Sequence, residues 1–136
     1  MTTGYVCAGA ASGSARVLVV LPAYNAERTV ALVYRDLSRF PYRLLLCDDC
    51  SSDRTVAVAQ SLGIPVIRHD RNRGYGANQK TLYAAALQTD ADIIVMVHPD
   101  YQYDPTVIPH MVAFIEAGIC DVILGNRIRT RRDAIA

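Results

Sequence analysis

Two hydrophobic periods alternate along this chain. Val17–Leu21, Arg43–Cys47 (RLLLC), Pro65–Arg68, Ala91–Val97 and Asp121–Leu124 are short apolar runs bounded by turn residues, the signature of strands buried on both faces. Between them the spacing becomes helical. Val30, Val33, Tyr34 and Leu37 share one face behind Asn25, a residue able to cap, and Phe40-Pro41 ends that helix. Ser51-Ser52-Asp53 is a capping cluster before a helix over 55–62, with Gly63 as its stop. A loop with two glycines, HDRNRGYGA (69–77), precedes an alanine-rich helix over Asn78–Leu87. Asp104-Pro105 opens a fourth helix, as a cap followed by proline in the first turn. Its apolar stripe is Val107, Ile108, Met111, Val112 and Ile115, Pro109 is tolerated near its start, and Gly118 ends it. Strands alternating with helices predict an α/β fold of three layers, α/β/α, around a mainly parallel sheet.

Composition narrows the class. With 136 residues, half of them hydrophobic and a fifth charged, the chain suits one globular domain. A net charge of +1 makes no electrostatic case for nucleic acid, and none is expected as a partner. Residues 1–15 lack a basic start and an apolar core, so they predict a flexible leader rather than a signal peptide. No run approaches the roughly 20 apolar residues of a membrane span, and a reducing cytoplasm is the expected location. Arg127, Arg129, Arg131 and Arg132 make residues 127–136 a basic tail, solvated or set against phosphate at a membrane surface. Cys47 and Cys50 form a C-x-x-C, but Cys7 and Cys120 give no second close pair for zinc. Asp48 and Asp49 between them disfavour the thiolate that redox chemistry needs.

Open parallel sheets place ligands at the carboxyl ends of their strands, and there the polar residues of this chain collect. Asp49 can accept a hydrogen bond from the ring N–H of a uracil or guanine, with Tyr24 beside it. Arg71, Arg73 or Lys80 can meet phosphate charge, helped by amides of the glycine loop. His98, Asp100 and Gln102 follow the fourth strand at i, i+2 and i+4. An extended segment would point all three to one side, where they can hold a divalent cation; the plainer alternative is a polar loop with Asp104 as a helix cap.

Several stretches in order resemble the family 2 glycosyltransferases, with their GT-A, Rossmann-like nucleotide-diphospho-sugar transferase fold. VLVVLPAYNAERTV is similar to the opening strand, loop and helix, and LLLCDDCSSDRT to the second signature. HDRNRGYGANQKTLYAAAL resembles the segment before the metal strand, VMVHPDYQYDP stands where the Asp-x-Asp motif belongs, and ILGNR resembles the strand that follows. The likeness runs from about Arg16 to Arg127 and is nearest to the dolichyl-phosphate mannosyltransferase-like branch. It implies that Pro22, Tyr24, Asn25 and Asp49 contact the nucleotide of a UDP- or GDP-sugar. It also implies that Asp100 is the principal metal ligand, supported by Gln102. His98 replaces the first Asp of the usual pair, which favours Mn²⁺ over Mg²⁺. Cys50 replaces the usual glycine, which predicts a turn without positive φ.

The resemblance implies a donor half over 16–126. The acceptor half that family members carry later is not visible, and no residue takes the role of catalytic base. The expected reaction is sugar transfer to a glycan or lipid-phosphate acceptor, with this chain truncated. Self-association, most simply a homodimer, is expected to cover an apolar flank. The alternatives are a non-catalytic nucleotide-binding module and a doubly wound phosphotransfer domain acting through Asp48 or Asp49.

Overall fold

The computed structural model describes residues 15–125. Four strands, β1 (Val17–Ala23), β2 (Arg43–Asp48), β3 (Val66–Arg68) and β4 (Ile93–Met96), alternate with helices α1 (Val30–Leu37), α2 (Thr55–Ser61), α3 (Tyr75–Ala86) and α4 (Ile108–Glu116). The sheet is parallel throughout, in the order β3-β2-β1-β4. The chain winds outward from β1 through β2 to β3, then returns to the far side of β1. That reversal puts the topological switch point at the carboxyl ends of β1 and β4, where open sheets bind ligands.

β1 is the centre because it is buried along its whole length. Its side chains alternate between two cores, as the strand period requires. Val17, Val19, Leu21 and Ala23 pack with Val30, Val33 and Leu37 of α1, Ala59 of α2, and Ile108 and Val112 of α4. Leu18 and Val20 join Cys47 and turn to Leu82 and Ala86 of α3. Three layers result, as the sequence pattern predicts.

Three boundaries differ from the expectation. α3 begins at Tyr75, three residues before the predicted start, because Gly74 at φ 86° turns the chain and its carbonyl accepts the Asn78 amide. Asn25 caps nothing: it lies at φ 50°, and α1 starts at Val30 without a side-chain cap. Residues 121–124 form no strand, and Val122 and Leu124 are 74% and 89% exposed. Their composition suits a strand, but a strand exists through the ladder it shares, and none of the four strands pairs with them. The basic tail, and the leader apart from Ala15, lie outside the described residues.

At the closing end of α4, Gly118 takes φ 67°. At the other end Asp104 accepts the Thr106 amide at 2.9 Å, capping the 3₁₀ turn Pro105–Val107 that leads into α4.

Candidate functional site

The loops after β1 and β2 are fastened to each other by five cross-loop contacts of backbone amides with side chains. Asn25 N–H donates to Ser51 Oγ (2.8 Å), Ala26 N–H to Thr55 Oγ1 (2.7 Å) and Glu27 N–H to Asp53 Oδ2 (3.1 Å). In return Asn25 Oδ1 accepts the Ser52 amide (3.0 Å) and Glu27 Oε2 the Arg54 amide (3.0 Å). This explains why Asn25 is not a helix cap: its carbonyl oxygen is already engaged across the gap. The 51–53 cluster likewise serves the neighbouring loop as well as its own helix.

Asp49 is the hub of the next layer. Its Oδ1 accepts the Arg73 amide (2.9 Å) and the His69 Nδ1–H (2.7 Å), and its Oδ2 accepts the Gly74 amide (2.8 Å). Burial alone would raise this carboxyl, but the Arg73 amide, His69 ring and Gly74 amide together hold it below the usual range. His69 is held from its other side by Thr81 Oγ1, 2.9 Å from Nε2. A carboxylate oxygen accepts about two hydrogen bonds, so one position on Oδ2 remains. Asp49 lines a cavity of about 190 Å³ with Pro22, Tyr24, Asn72, Tyr75 and Asn78. Tyr24 is 54% exposed at its mouth.

Sequence reasoning missed three members of this layer. His69 was readable, since a polar residue directly after a strand falls at the sheet's carboxyl edge. Asn78 was not, because it is a helix residue that becomes polar wall only through tertiary contact: its Nδ2 donates to the Cys47 carbonyl (2.8 Å). Thr81, one turn further on, has the same history.

Cys50 contradicts its expectation. It lies at φ 63°, the left-handed region, so the turn keeps the conformation that glycine usually serves. Cys47 is buried and its thiol is pushed up to about 11 by burial and the two neighbouring carboxylates. It stays protonated at neutral pH, which removes the redox reading of the pair. Phosphotransfer loses its support too. Asp48 is fully buried and bonded to the Ser51 amide (3.0 Å), and the three donors on the Asp49 carboxylate make it a weak nucleophile toward a phosphodonor.

Arg71 and Arg73 in the glycine loop and Lys80 on α3 are exposed but do not line this cavity, and among the described residues none is drawn into a salt bridge. On the other side of the switch point, residues 98–102 do not extend as the alternation argument required. The chain turns at Pro99 and Asp100, and Tyr101 takes φ 61°. No ladder holds the segment beyond β4, so the strand period lapses there. His98 Nε2 lies 2.6 Å from Tyr75 Oη, and Asp100 Oδ1 accepts the Gln102 amide at 3.1 Å. Among the described residues no group of three or more His, Cys, Asp or Glu stands ready for a metal ion.

The family model for glycosyl transferase family 2 matches residues 18–134, most of the chain. The chain belongs to glycosyl transferase family 2. Among its relatives in this family, an undecaprenyl-phosphate 4-deoxy-4-formamido-L-arabinose transferase of Serratia proteamaculans is 33% identical, over 82% of this chain and 38% of the relative. A dolichol-phosphate mannosyltransferase of Pyrococcus furiosus is 28% identical, over 82% and 33%. The solved glucosyl-3-phosphoglycerate synthase of Mycobacterium tuberculosis, in complex with Mn²⁺, UDP and glucosyl-3-phosphoglycerate, superimposes with a TM-score of 0.61 at 26% identity. That match covers 74% of this chain and 39% of the other. Even an uncharacterised Methanocaldococcus jannaschii relative is covered over only 49% of its length. This family 2 chain thus spans about half or less of the relatives it matches, and its α/β sheet is that of the GT-A fold expected from the sequence.

Proposed function

We propose that this chain is the donor-binding part of a glycosyltransferase, holding a nucleoside-diphosphate sugar at the carboxyl edge of β1, β2 and β4. The observation that carries this reading is Asp49: buried, ionised, rigidly clasped, and left with one acceptor position in a cavity walled by Tyr24. A base ring N–H fits that position, and the Tyr24 ring supplies a face for it. Pro22 completes the wall, and Asn25, whose Oδ1 holds the Ser52 amide, orders the adjoining loop, while Arg71, Arg73 and Lys80 lie within the same loop and helix to meet the diphosphate. Relatives bearing polyprenyl-phosphate transferase names favour a lipid-phosphate acceptor. That acceptor would bring the protein to a membrane surface from the cytoplasm; among the described residues no helix is long and apolar enough to cross a membrane.

A divalent cation suits the residues present. Among the described residues, His98 bonds through Nε2 and the exposed Asp100 through Oδ1, which leaves Nδ1 and Oδ2 to a ligand. An imidazole, a carboxylate and the Gln102 amide are donor types that substrate phosphates complete, and the turn over 98–102 would have to bring them together around the ion. The imidazole favours Mn²⁺ over Mg²⁺, and the bound neighbour contains Mn²⁺. Such an ion would neutralise charge on the departing diphosphate. The arginines would act on the same charge. Transfer itself is assigned to the whole protein, with acceptor wall and base outside residues 16–126. Self-association through the exposed flank of Val122 and Leu124 belongs to the same proposal, and a concentration-independent monomer mass would remove it.

The deciding experiment is calorimetric titration with UDP and GDP, each with Mn²⁺ and with chelator. Binding of either nucleotide that Asp49→Ala weakens supports the reading. No binding of either, or unchanged affinity in that variant, overturns it.

A further inference from the structure

The segment 98–102 is held by a contact that the donor reading leaves unused. Tyr101 sits between Asp100 and Gln102 in the left-handed region, a conformation that a bulky residue keeps only when its surroundings enforce it. The enforcing contact is visible. Tyr101 Oη donates to Asp36 Oδ2 at 2.6 Å, across 65 positions of sequence, from the post-β4 turn to α1.

Asp36 is itself prepared for this role. It is 7% exposed on a helix whose other buried positions are apolar. Arg35 Nε donates to its Oδ1 at 3.1 Å, Arg39 Nη2 lies 3.7 Å from the same atom, and Arg35 Nη2 reaches Tyr101 Oη at 3.3 Å. Oδ2 therefore serves the tyrosine while Oδ1 serves the arginines. The Tyr101 phenol and the Arg35 guanidinium hold the Asp36 carboxyl below its usual range, and the same bond raises the phenol. Charge and geometry agree: a fixed anion on α1 receives the phenol.

We propose that Tyr101 and Asp36 form a positioning latch that fixes the 98–102 turn so that Asp100 and Gln102 present their oxygens to the donor's cation. The inference rests on the proposed donor site. Neither residue touches the cation; they act through the backbone on either side of Tyr101. Fixing φ at Tyr101 sets the direction of the chain between the two ligand positions. The Asp100 Oδ1 bond to the Gln102 amide then spans the residue that the latch holds. Outer partners that orient ligands carry a large share of metal affinity in known sites, about 10–100-fold.

The test uses the full chain and Mn²⁺ as the probe. Mn²⁺ is titrated by calorimetry and by the loss of its free-ion electron paramagnetic resonance signal, with UDP and GDP present. Tyr101→Phe keeps the ring and removes only the hydroxyl; it is expected to weaken Mn²⁺ binding about tenfold. Nucleotide affinity in chelator should not change, and amides 100–103 should exchange hydrogen faster than in the wild type. Asp36→Asn keeps an acceptor oxygen for the phenol and should fall between the two. The double variant should be no worse than Tyr101→Phe, since both substitutions act on one bond, which Tyr101→Phe already removes. A Tyr101→Phe chain that binds Mn²⁺ as tightly as the wild type overturns the latch while leaving the donor site standing. A loss of metal-free nucleotide affinity equal to the loss of Mn²⁺ affinity overturns it too, because that marks a general structural role. A wild-type chain that binds nucleotide but ignores Mn²⁺ overturns the cation reading and the latch together. A wild-type chain that binds no nucleotide overturns the donor site itself.

Discussion

The carboxyl edge of the sheet has two halves built in different ways. Around β1, β2 and β3, amides and side-chain oxygens are densely paired: Asp49 alone receives three donors through buried or half-buried bonds, and the loops after β1 and β2 share five amide contacts, three of them half-buried and two exposed. Beyond β4 the chain is exposed from Asp100 to Asp104 and rests on phenols, Tyr75 against His98 and Tyr101 against Asp36. Low dielectric makes the first half both strong and unforgiving, since an unpaired buried polar group there costs its full desolvation. The second half is open to water except at Asp36, so its contacts are expected to order the loop more than to hold the fold. A rigid half that reads the nucleotide and a looser half that awaits its cation would divide donor binding between them.

The largest expected break of that contrast is Asp49→Ala. The buried His69 ring and the half-buried Arg73 amide would lose their acceptor, at about 1–3 kcal/mol for each group left unmet, while the Gly74 amide keeps Asn72 Oδ1 at 3.0 Å. Urea unfolding should show a loss of several kcal/mol, together with the loss of nucleotide affinity. Asp100→Ala should leave the unfolding midpoint within about 0.5 kcal/mol of wild type, as exposed substitutions do, and remove only the response to Mn²⁺. Equal destabilisation by the two variants would mean that the halves are not built differently.

Acid should separate the halves as well. The folded carboxyl of Asp49 lies below its ordinary value, so its stabilisation is full above the unfolded carboxylate range and is lost as pH falls through the folded value. Below about pH 4 the clasp on Arg73 and Gly74 should loosen, and their amide exchange should accelerate ahead of α1 and β1. Protection that falls uniformly across the chain would refute this order.

A smaller effect is expected from Thr55→Val, which keeps volume but removes the hydroxyl that receives the Ala26 amide. A cost of about 1 kcal/mol in stability and a few-fold loss of nucleotide affinity would show that the loop fastening supports the site. Full affinity at reduced stability would confine the fastening to folding.

The sequence made the strands and their carboxyl ends legible because β1, β2 and β4 carry short apolar runs such as VLVVL and IIVMV, buried on both faces in β1 and partly buried in β2 and β4. It made Tyr24, Asp49 and the glycine loop legible as neighbours, since parallel strands deliver their ends to one edge. What it hid depends on partners far along the chain. Asn25 is a good cap by composition, yet Ser52 takes its oxygen. His98, Asp100 and Gln102 alternate in the sequence, but the strand stops at Met96 and the period with it. Val122 and Leu124 show how a strand-like run remains irregular without a ladder.

The smallest expected effect sharpens the contrast most directly, because both halves hold a non-glycine residue at positive φ. Cys50 at φ 63° has only a weak thiol contact, Sγ to the Asp70 carbonyl at 3.6 Å. Tyr101 at φ 61° has its phenol bonded at 2.6 Å. Glycine removes the clash of Cβ at either position, worth about 1–2 kcal/mol, but adds freedom to the unfolded chain, worth about 0.5–1 kcal/mol. At Cys50 nothing of substance is lost with the side chain, so Cys50→Gly should raise stability by about 0.5 kcal/mol without changing nucleotide affinity. At Tyr101 the relieved backbone is set against a lost anchor, so Tyr101→Gly should quicken exchange of amides 100–103 and lower Mn²⁺ affinity. Opposite outcomes from the same substitution at nearly the same φ would show that the turn after β2 is held by its surroundings and the turn after β4 by one side chain. If Tyr101→Gly leaves both loop exchange and Mn²⁺ binding at wild-type values, the turn after β4 is held by its surroundings too, and the contrast between the halves narrows to burial alone.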